Sequence, residues 1–273
     1  MVELSAPPSL RVLYPKAVLT GFRRKGGALP DTVYTLSGVT ADPAHLAAYN
    51  RVCGFRLADE LPATYPHLLS YPMQIKLMAG GDFPFPLVGS VHVANRITQT
   101  RPLTLDDRLD LRVHTENLRD HPRGRQFDVV STATVAGETV WTDVSTYLRR
   151  TAGGERDGDR EHAEPPAPQA VWRVPEDTGR RYAEVSGDRN PIHLHRLTAR
   201  LFGFRRAIAH GMWTKARCLA ALEGRLPDAY TVDVRFKLPV LLPATVAFHA
   251  EDGREFSLHD ARTGKPHLAG TIS

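Results

Sequence analysis

The chain has few cysteines and no long apolar segment, and both features restrict what it can be. Its 273 residues include only two cysteines, Cys53 and Cys218, whose separation fits no metal-binding or redox motif. So few thiols are typical of a reducing compartment, and we expect a cytoplasmic location. The first residues lack the apolar core of a secretion signal, and no stretch reaches the roughly 18 apolar residues needed to cross a bilayer.

The sequence also lacks a nucleic-acid-binding motif, although its charge is mildly positive. Lys and Arg number 35 against 30 Asp and Glu, a formal net charge of +5. A basic surface attracts nucleic acids, membranes or phosphorylated molecules. Because zinc-finger, RNP and helix-turn-helix patterns are missing, we expect no nucleic-acid binding. The amphipathic segments look core-facing, so we expect no membrane binding either.

One segment without large apolar residues divides the chain. Residues 151–170 are rich in Gly, Pro and charged residues. Such a segment cannot bury enough surface to offset the entropy lost on ordering, which favours a linker. We therefore predict an N-terminal unit over 1–150 and a C-terminal unit over 171–273.

The two units repeat one layout. Apolar helices are predicted over 64–84 and 207–227, each ended by a glycine and a proline, with Pro72 expected to bend the first. Alternating apolar and polar residues predict antiparallel strands after each helix. These strands span 87–99, 108–117, 125–136 and 139–150, and then 230–238, 244–252, 255–261 and 267–273. The repeated order of one helix and several strands indicates an α+β fold.

Asp188 and His193 are the first candidates for chemistry. They lie in a segment of loop-forming residues, followed by a helix predicted to begin near Leu194. A carboxylate and an imidazole on one loop can together hold a water molecule and exchange protons with it near neutral pH. The alternative is structural, since Asp and Asn side chains in such turns often bond the nearby backbone.

Gly211 is the second candidate, at the expected start of the second apolar helix. A glycine there lets a substrate approach the free N–H groups of the first helical turn, which favour negative charge. This would suit an oxyanion site for a thioester carbonyl. The alternative is that Gly211 only relieves crowding where the helix enters the sheet.

Taken together, these segments form a specific signature. The motif Y-A-x-x-S-G-D-x-N-P-I-H occupies residues 182–193, followed by G-F at 203–204 and I-A-H-G-M at 208–212. This combination closely resembles the MaoC-like, or R-specific enoyl-CoA hydratase, family. The resemblance covers essentially all of 171–273. The N-terminal unit matches more loosely, as the degenerate partner in double hotdog members of the family.

The resemblance implies a fold, a reaction and a substrate. In a double hotdog, two curved antiparallel sheets each wrap around a long central helix. The implied reaction is reversible hydration of trans-2-enoyl thioesters to (R)-3-hydroxyacyl thioesters, in fatty acid metabolism. The thioester is carried by CoA or by the phosphopantetheine arm of an acyl carrier protein, so neither is a separate cofactor. The resemblance implies no metal and no organic cofactor, and either a monomeric pseudo-dimer or a homodimer.

The resemblance also assigns residues. Asp188 and His193 would hold and activate the water, and Gly211 would donate its backbone N–H to the thioester carbonyl. Asn190 and Ser186 would brace the loop. Candidate substrate-binding residues are Ser186, Asn190, His210, Met212, Arg205 and Arg206. The two arginines suit CoA phosphates or an acidic carrier protein, and the alternative is that they form a solvated charged face.

The N-terminal unit departs from the motif. Thr40 stands in the place of the aspartate and Leu68 in the place of Gly211, which predicts one active site per chain. We expect structural roles for His45 and His67. The N-terminal unit would supply half of the paired sheet and the acyl-chain tunnel, although packing in the core is the main expectation for the apolar candidates Tyr71, Met73, Met78, Phe83 and Phe85.

Two other functions fit a hotdog fold. One is hydrolysis of the acyl thioester, which would release a free thiol. The other is a non-catalytic acyl-thioester-binding subunit, which would have no need to keep Asp188, His193 and Gly211 together. The sequence does not specify the acyl-chain length, the carrier or the physiological direction.

Overall fold

The computed structural model describes residues 1–14, 27–87, 89–150 and 165–273. Most of the predicted linker, residues 151–164, lies outside the described residues. The last predicted linker residue, Ala170, is already the first residue of a strand.

The described strands form one large sheet that runs through both units. In chain order they are β1 (Val2–Glu3), β2 (Tyr34–Val39), β3 (Glu60–Leu61), β4 (Ser90–Gln99), β5 (Leu103–Thr104), β6 (Leu109–His121), β7 (Gly124–Val135), β8 (Glu138–Arg150), β9 (Ala170–Val174), β10 (Tyr230–Phe236), β11 (Ala244–Glu251), β12 (Glu255–Asp260) and β13 (Pro266–Ile272). Eleven of these described strands are ordered β1-β2-β6-β7-β8-β4-β10-β13-β12-β11-β9, while β3 and β5 pair separately. The units meet where β4 pairs antiparallel with β10, so that Val232 lies opposite Ile97.

The described helices are α1 (Pro43–Cys53), α2 (Tyr65–Met78), α3 (Thr178–Ser186), α4 (Pro191–Leu194), α5 (Arg196–Leu201) and α6 (Gly211–Ala221). The long helices α2 and α6 correspond to the two predicted apolar helices, and most of their residues are buried. Residues of both helices and of the sheet contribute to one continuous hydrophobic core. This confirms the α+β class with one long helix in each unit, while the strands of the two units are joined into a single sheet. None of the described helices is both long and apolar enough to cross a membrane.

The second apolar helix begins later than predicted, because backbone hydrogen bonds hold the residues before it in an extended conformation. The second apolar helix was expected from residue 207, but it begins at Gly211. Residues 207–209 are extended because Ala209 N donates to Val240 O, and Leu242 N donates to Ala207 O. Pro72 lies inside α2, so the helix continues past the proline.

A buried polar network crosses the boundary between the units. The Lys215 ammonium on α6 donates to the backbone and side-chain oxygens of Asn95 on β4, at 3.1 and 2.5 Å, and to Val232 O at 3.2 Å. Asn95 Nδ2 in turn donates to Asp143 Oδ1 at 2.7 Å, and His67 Nδ1 lies 2.5 Å from Asp143 Oδ2. Lys215 and Asp143 are inaccessible to solvent. A cation from one unit is thus connected through Asn95 to an anion from the other.

Candidate active site

The loop that carries Asp188 is held by its own neighbours. Helix α3 ends at Gly187, whose φ of 72° is in the left-handed region that favours glycine. Asp188 N donates to Ser186 Oγ at 3.2 Å, and Asn190 N donates to Asp188 Oδ1 at 3.1 Å. The Asn190 side chain also caps α4 by accepting from Ile192 N at 3.4 Å. These bonds give Ser186 and Asn190 contacts of the kind expected for bracing the loop.

His193 lies in α4 rather than on an irregular loop, so the prediction of a helix beginning only near Leu194 was wrong. The Asn190 cap and Pro191 at the first helical position allow α4 to begin earlier. His193 is 8% exposed, and its Nδ1 lies 2.8 Å from Ile208 O. A carbonyl only accepts, so Nδ1 carries the proton and Nε2 has a free lone pair. Burial lowers the pKa of His193 and favours this neutral form.

His210 completes the cluster. Its ring stacks on His193 with centroids 3.7 Å apart, and its Nε2 donates to Asp188 O at 3.0 Å. Burial lowers the pKa of His210 to about 3, so the ring is neutral near pH 7. Its Nδ1 is buried and has no hydrogen-bond partner among the described residues. The sequence placed His210 at the site only as a substrate-binding candidate.

The cluster contains three polar atoms within 4.8 Å of one another: a carboxylate oxygen of Asp188 and one ring nitrogen each of His193 and His210. Burial raises the pKa of Asp188, but interactions with both histidines and hydrogen bonds from Tyr14 and Asn190 bring it below its ordinary value. An ionised carboxylate beside neutral imidazoles can orient a water molecule and accept its proton. The same atoms are also of the types that ligate a metal ion.

Gly211 is the first residue of α6, directly after His210. The N–H groups of a first helical turn have no partner within the helix and can face a ligand. The ring of Phe236 lies 3.1 Å from the position that a Cβ on Gly211 would take. The absence of a side chain at Gly211 therefore allows Phe236 to pack closely against the start of α6.

Tyr14 is a site residue that the sequence did not predict. Its hydroxyl donates to Asp188 Oδ1 at 2.7 Å and lies 2.6 Å from the Tyr71 hydroxyl. Tyr71 was only a candidate for the acyl-chain tunnel. No sequence pattern links residues separated by 174 positions, so this contact becomes visible only in the folded chain.

Other predicted residues lie around the cluster. Met212 is 5% exposed and belongs to the hydrophobic core. Arg205 and Arg206 line a surface cavity of about 580 Å³ together with Arg196 and Arg200. Arg206 Nη1 also donates to a backbone carbonyl at 3.2 Å.

The corresponding positions of the N-terminal unit are arranged differently. Thr40 is exposed and Leu68 is buried in the core.

The His67 imidazole bonds the buried Asp143 carboxylate. His45 bonds a tyrosine hydroxyl and the carbonyl of Val185 on α3, and so ties the units together. Four apolar tunnel candidates, Met73, Met78, Phe83 and Phe85, are buried in the core.

A glycine on α3 fixes the position of His193. A Cβ on Gly179 would lie 2.1 Å from His193 O, a contact with backbone that a side-chain rotation cannot relieve. We expect Gly179→Ala to displace α4, with a cost of about 1–3 kcal/mol in unfolding free energy and a lower kcat. Urea unfolding and steady-state kinetics would measure both effects.

Gly81→Ala is the matched control, since no atom of the part of the chain that the structure describes, apart from its chain neighbours, lies within 4 Å of its added Cβ. Wild-type stability and kcat in Gly179→Ala would contradict the role of this close contact.

The buried histidines predict how stability depends on pH. Burial lowers the pKa of His92 and His210 to about 3, and lowers that of His193. In the unfolded chain each takes up a proton near pH 6.5. Between pH 6.5 and the lowered pKa values of the folded state, the unfolded chain binds more protons than the folded one. The unfolding free energy should therefore fall as the pH is lowered from about 6.5. Urea midpoints that stay constant between about pH 7.5 and pH 5 would contradict this expectation.

Comparison with known proteins gives a consistent result. The MaoC like domain family matches residues 158–265. The chain is 41% identical over 251 residues to 3-hydroxyacyl-thioester dehydratase X of Mycobacterium tuberculosis, covering 89% of this chain and 90% of that protein. It is 38% identical over 74 residues to 3-hydroxybutyryl-CoA dehydratase of Methylorubrum extorquens, covering 26% and 47% of the two chains. The crystal structure of HtdX of M. tuberculosis superposes with a TM-score of 0.80 at 40% identity, covering 88% of this chain and 99% of that chain.

Proposed function

Because the chain belongs to the MaoC-like dehydratase family, we propose that it is a hydro-lyase that interconverts trans-2-enoyl and (R)-3-hydroxyacyl thioesters. The observation that carries the proposal is the cluster of Asp188, His193 and His210 directly before the N-terminus of α6. The cluster provides bases for a water molecule, and the helix provides backbone donors for a thioester oxygen. The similarity to two dehydratases supports this reaction class.

In the hydration direction, water bound by Asp188 and His193 attacks C3 of the enoyl group. Asp188 or the free Nε2 of His193 accepts the water's proton as the new C–O bond forms. The thioester carbonyl gains negative charge as the C2–C3 double bond opens, and the Gly211 N–H stabilises it. A proton then returns from the cluster to C2, so the product contains all atoms of the water. Dehydration follows the same steps in reverse, and neither direction requires a metal or an organic cofactor.

The decisive assay uses crotonyl-CoA with the purified chain. Loss of the enoyl absorbance with the thioester intact would support hydration. Release of free CoA thiol would indicate hydrolysis, and absence of any turnover across enoyl-CoA substrates of different lengths would favour a binding subunit.

Arg205 and Arg206 are proposed to bind the phosphates of the substrate's carrier group. Four arginines around one cavity suit the phosphates that both CoA and a phosphopantetheine arm contain. We expect Arg205→Ala/Arg206→Ala to raise KM roughly tenfold with little change in kcat, because two partly exposed ion pairs are lost. Initial rates with enoyl-CoA and with an enoyl carrier protein would show which carrier depends on the arginines.

Arg173→Ala is the control, as Arg173 is exposed and does not line the cavity. An unchanged KM for both carriers in the double variant would remove these arginines from the binding site.

A further inference from the structure

We propose that Tyr71 and Tyr14 form a hydrogen-bond relay that positions Asp188 for catalysis. The inference rests on the proposed hydration reaction and adds two positioning residues to it. Both tyrosines come from outside the C-terminal unit that carries the motif, so the N-terminal unit would take a direct part in the active site.

The direction of the relay follows from the number of protons available. An ionised carboxylate only accepts hydrogen bonds, so the Tyr14 hydroxyl donates its single proton in the hydrogen bond to Asp188 Oδ1, at 2.7 Å. The contact of 2.6 Å between the two hydroxyls must then be a bond from Tyr71 to Tyr14. Hydrogen bonds in such a chain polarise one another, so Tyr71 strengthens the bond that Tyr14 makes.

The relay separates the tasks of the two carboxylate oxygens. Oδ1 accepts from the Tyr14 hydroxyl and from Asn190 N, which fixes the plane and rotation of the carboxylate. Oδ2 lies 3.7 Å from His210 Nε2, too far for a hydrogen bond. Oδ2 is therefore the oxygen that can accept a proton from a bound water.

Both tyrosines of the relay are held by packing against neighbouring elements. Leu10 Cδ1 lies 2.5 Å from the position that a Cβ on Gly187 would occupy, so segment 10–14 packs directly against the end of α3. Tyr71 is on α2, a helix of the hydrophobic core, and is 8% exposed. A rigid helix thus holds one end of the relay and the catalytic loop holds the other.

Within the described ranges, the titratable groups that face Asp188 are uncharged near pH 7. They are the imidazoles of His193 and His210 and the hydroxyls of Tyr14, Tyr71, Tyr147 and Tyr182. Burial keeps the pKa of each tyrosine above its usual value, while the Tyr14 bond helps to lower the pKa of Asp188. Removing that bond should therefore raise the apparent pKa of the coupled Asp188 and His193 pair.

The test compares Tyr14→Phe, Tyr71→Phe and the control Tyr34→Phe, all in the full chain. We expect Tyr14→Phe to lower kcat by about tenfold or more, as for loss of a hydrogen bond to a charged group. The acidic limb of its kcat/KM profile should move to higher pH. Tyr71→Phe should act in the same direction with a smaller effect. Tyr34, on β2, packs near Lys76 and should give wild-type kinetics.

Three outcomes would overturn the relay. One is wild-type kcat and pH profile in Tyr14→Phe, and another is a lower kcat with an unmoved acidic limb, which indicates a merely structural role. The third is an effect of Tyr14→Phe that Tyr71→Phe does not share. Failure of the proposed function itself is distinguishable, since the wild-type chain would then not hydrate enoyl thioesters at all.

Discussion

Asp188→Asn and His193→Ala are each expected to lower the kcat for crotonyl-CoA hydration by about 10²–10⁴-fold, the usual contribution of a general acid or base. Asn keeps the shape of Asp188 and can still accept from Tyr14, but its amide cannot take a proton from water. Ala at position 193 removes the Nε2 lone pair that the bond to Ile208 O leaves available. Steady-state kinetics over a range of enoyl chain lengths would measure the loss.

The control for these variants is His195→Ala. His195 is exposed two residues after His193, and its side chain makes no cap bond to α5. It should retain wild-type kcat, while the thermal midpoints of Asp188→Asn and His193→Ala show that both remain folded. Rates close to wild type in both variants would refute the assignment of the site.

Asp143→Ala is expected to destabilise the chain by about 3–5 kcal/mol, because it removes one partner of the buried His67–Asp143 pair and leaves the Asn95 side-chain donor without its acceptor. Asp143 and Lys215 are both inaccessible to solvent and are connected through Asn95. Burial lowers the pKa of Lys215 to about 7, and the Asp143 carboxylate opposes this shift, so removing the carboxylate takes away a charge that favours the ammonium form. The change in unfolding free energy would be measured by urea denaturation.

Glu223→Ala provides the comparison at an exposed ion pair. Glu223 pairs with Arg56, whose side chain is 75% exposed, and its loss should cost no more than about 1 kcal/mol. If Asp143→Ala costs as little as Glu223→Ala, the buried network does not hold the units together. Lys215 is one turn after Gly211 on α6. A lower kcat in Asp143→Ala would therefore be an indirect effect on the site and would not show that Asp143 acts in catalysis.

The parts of this protein that the sequence predicted are local. The motif places Asp188, Asn190 and His193 within six consecutive residues, so the loop around Asp188 could be predicted from the sequence, whereas the Asn190 cap that starts α4 before His193 was not. The eight strands predicted after the long helices were placed closely, because alternation along a strand reports which side chains face the core, whereas β1, β2, β3, β5 and β9 were not predicted. The start of α6 at Gly211 was predicted less well by apolar periodicity, because pairing with the segment around Val240 keeps residues 207–209 extended.

By itself, the sequence determined the α+β layout, the family and the position of the loop that carries Asp188, because these depend on spacing and on contacts between near neighbours. Only the tertiary structure decided that His210 stacks on His193, that Tyr14 and Tyr71 reach Asp188, and that Lys215 and Asp143 share a buried network. These contacts join residues distant in the chain, and those of Tyr14 with Asp188 and of Lys215 with Asn95 form only when the two units come together. Their strength comes from burial, which removes competing water, and burial is a property of the packed fold rather than of any segment.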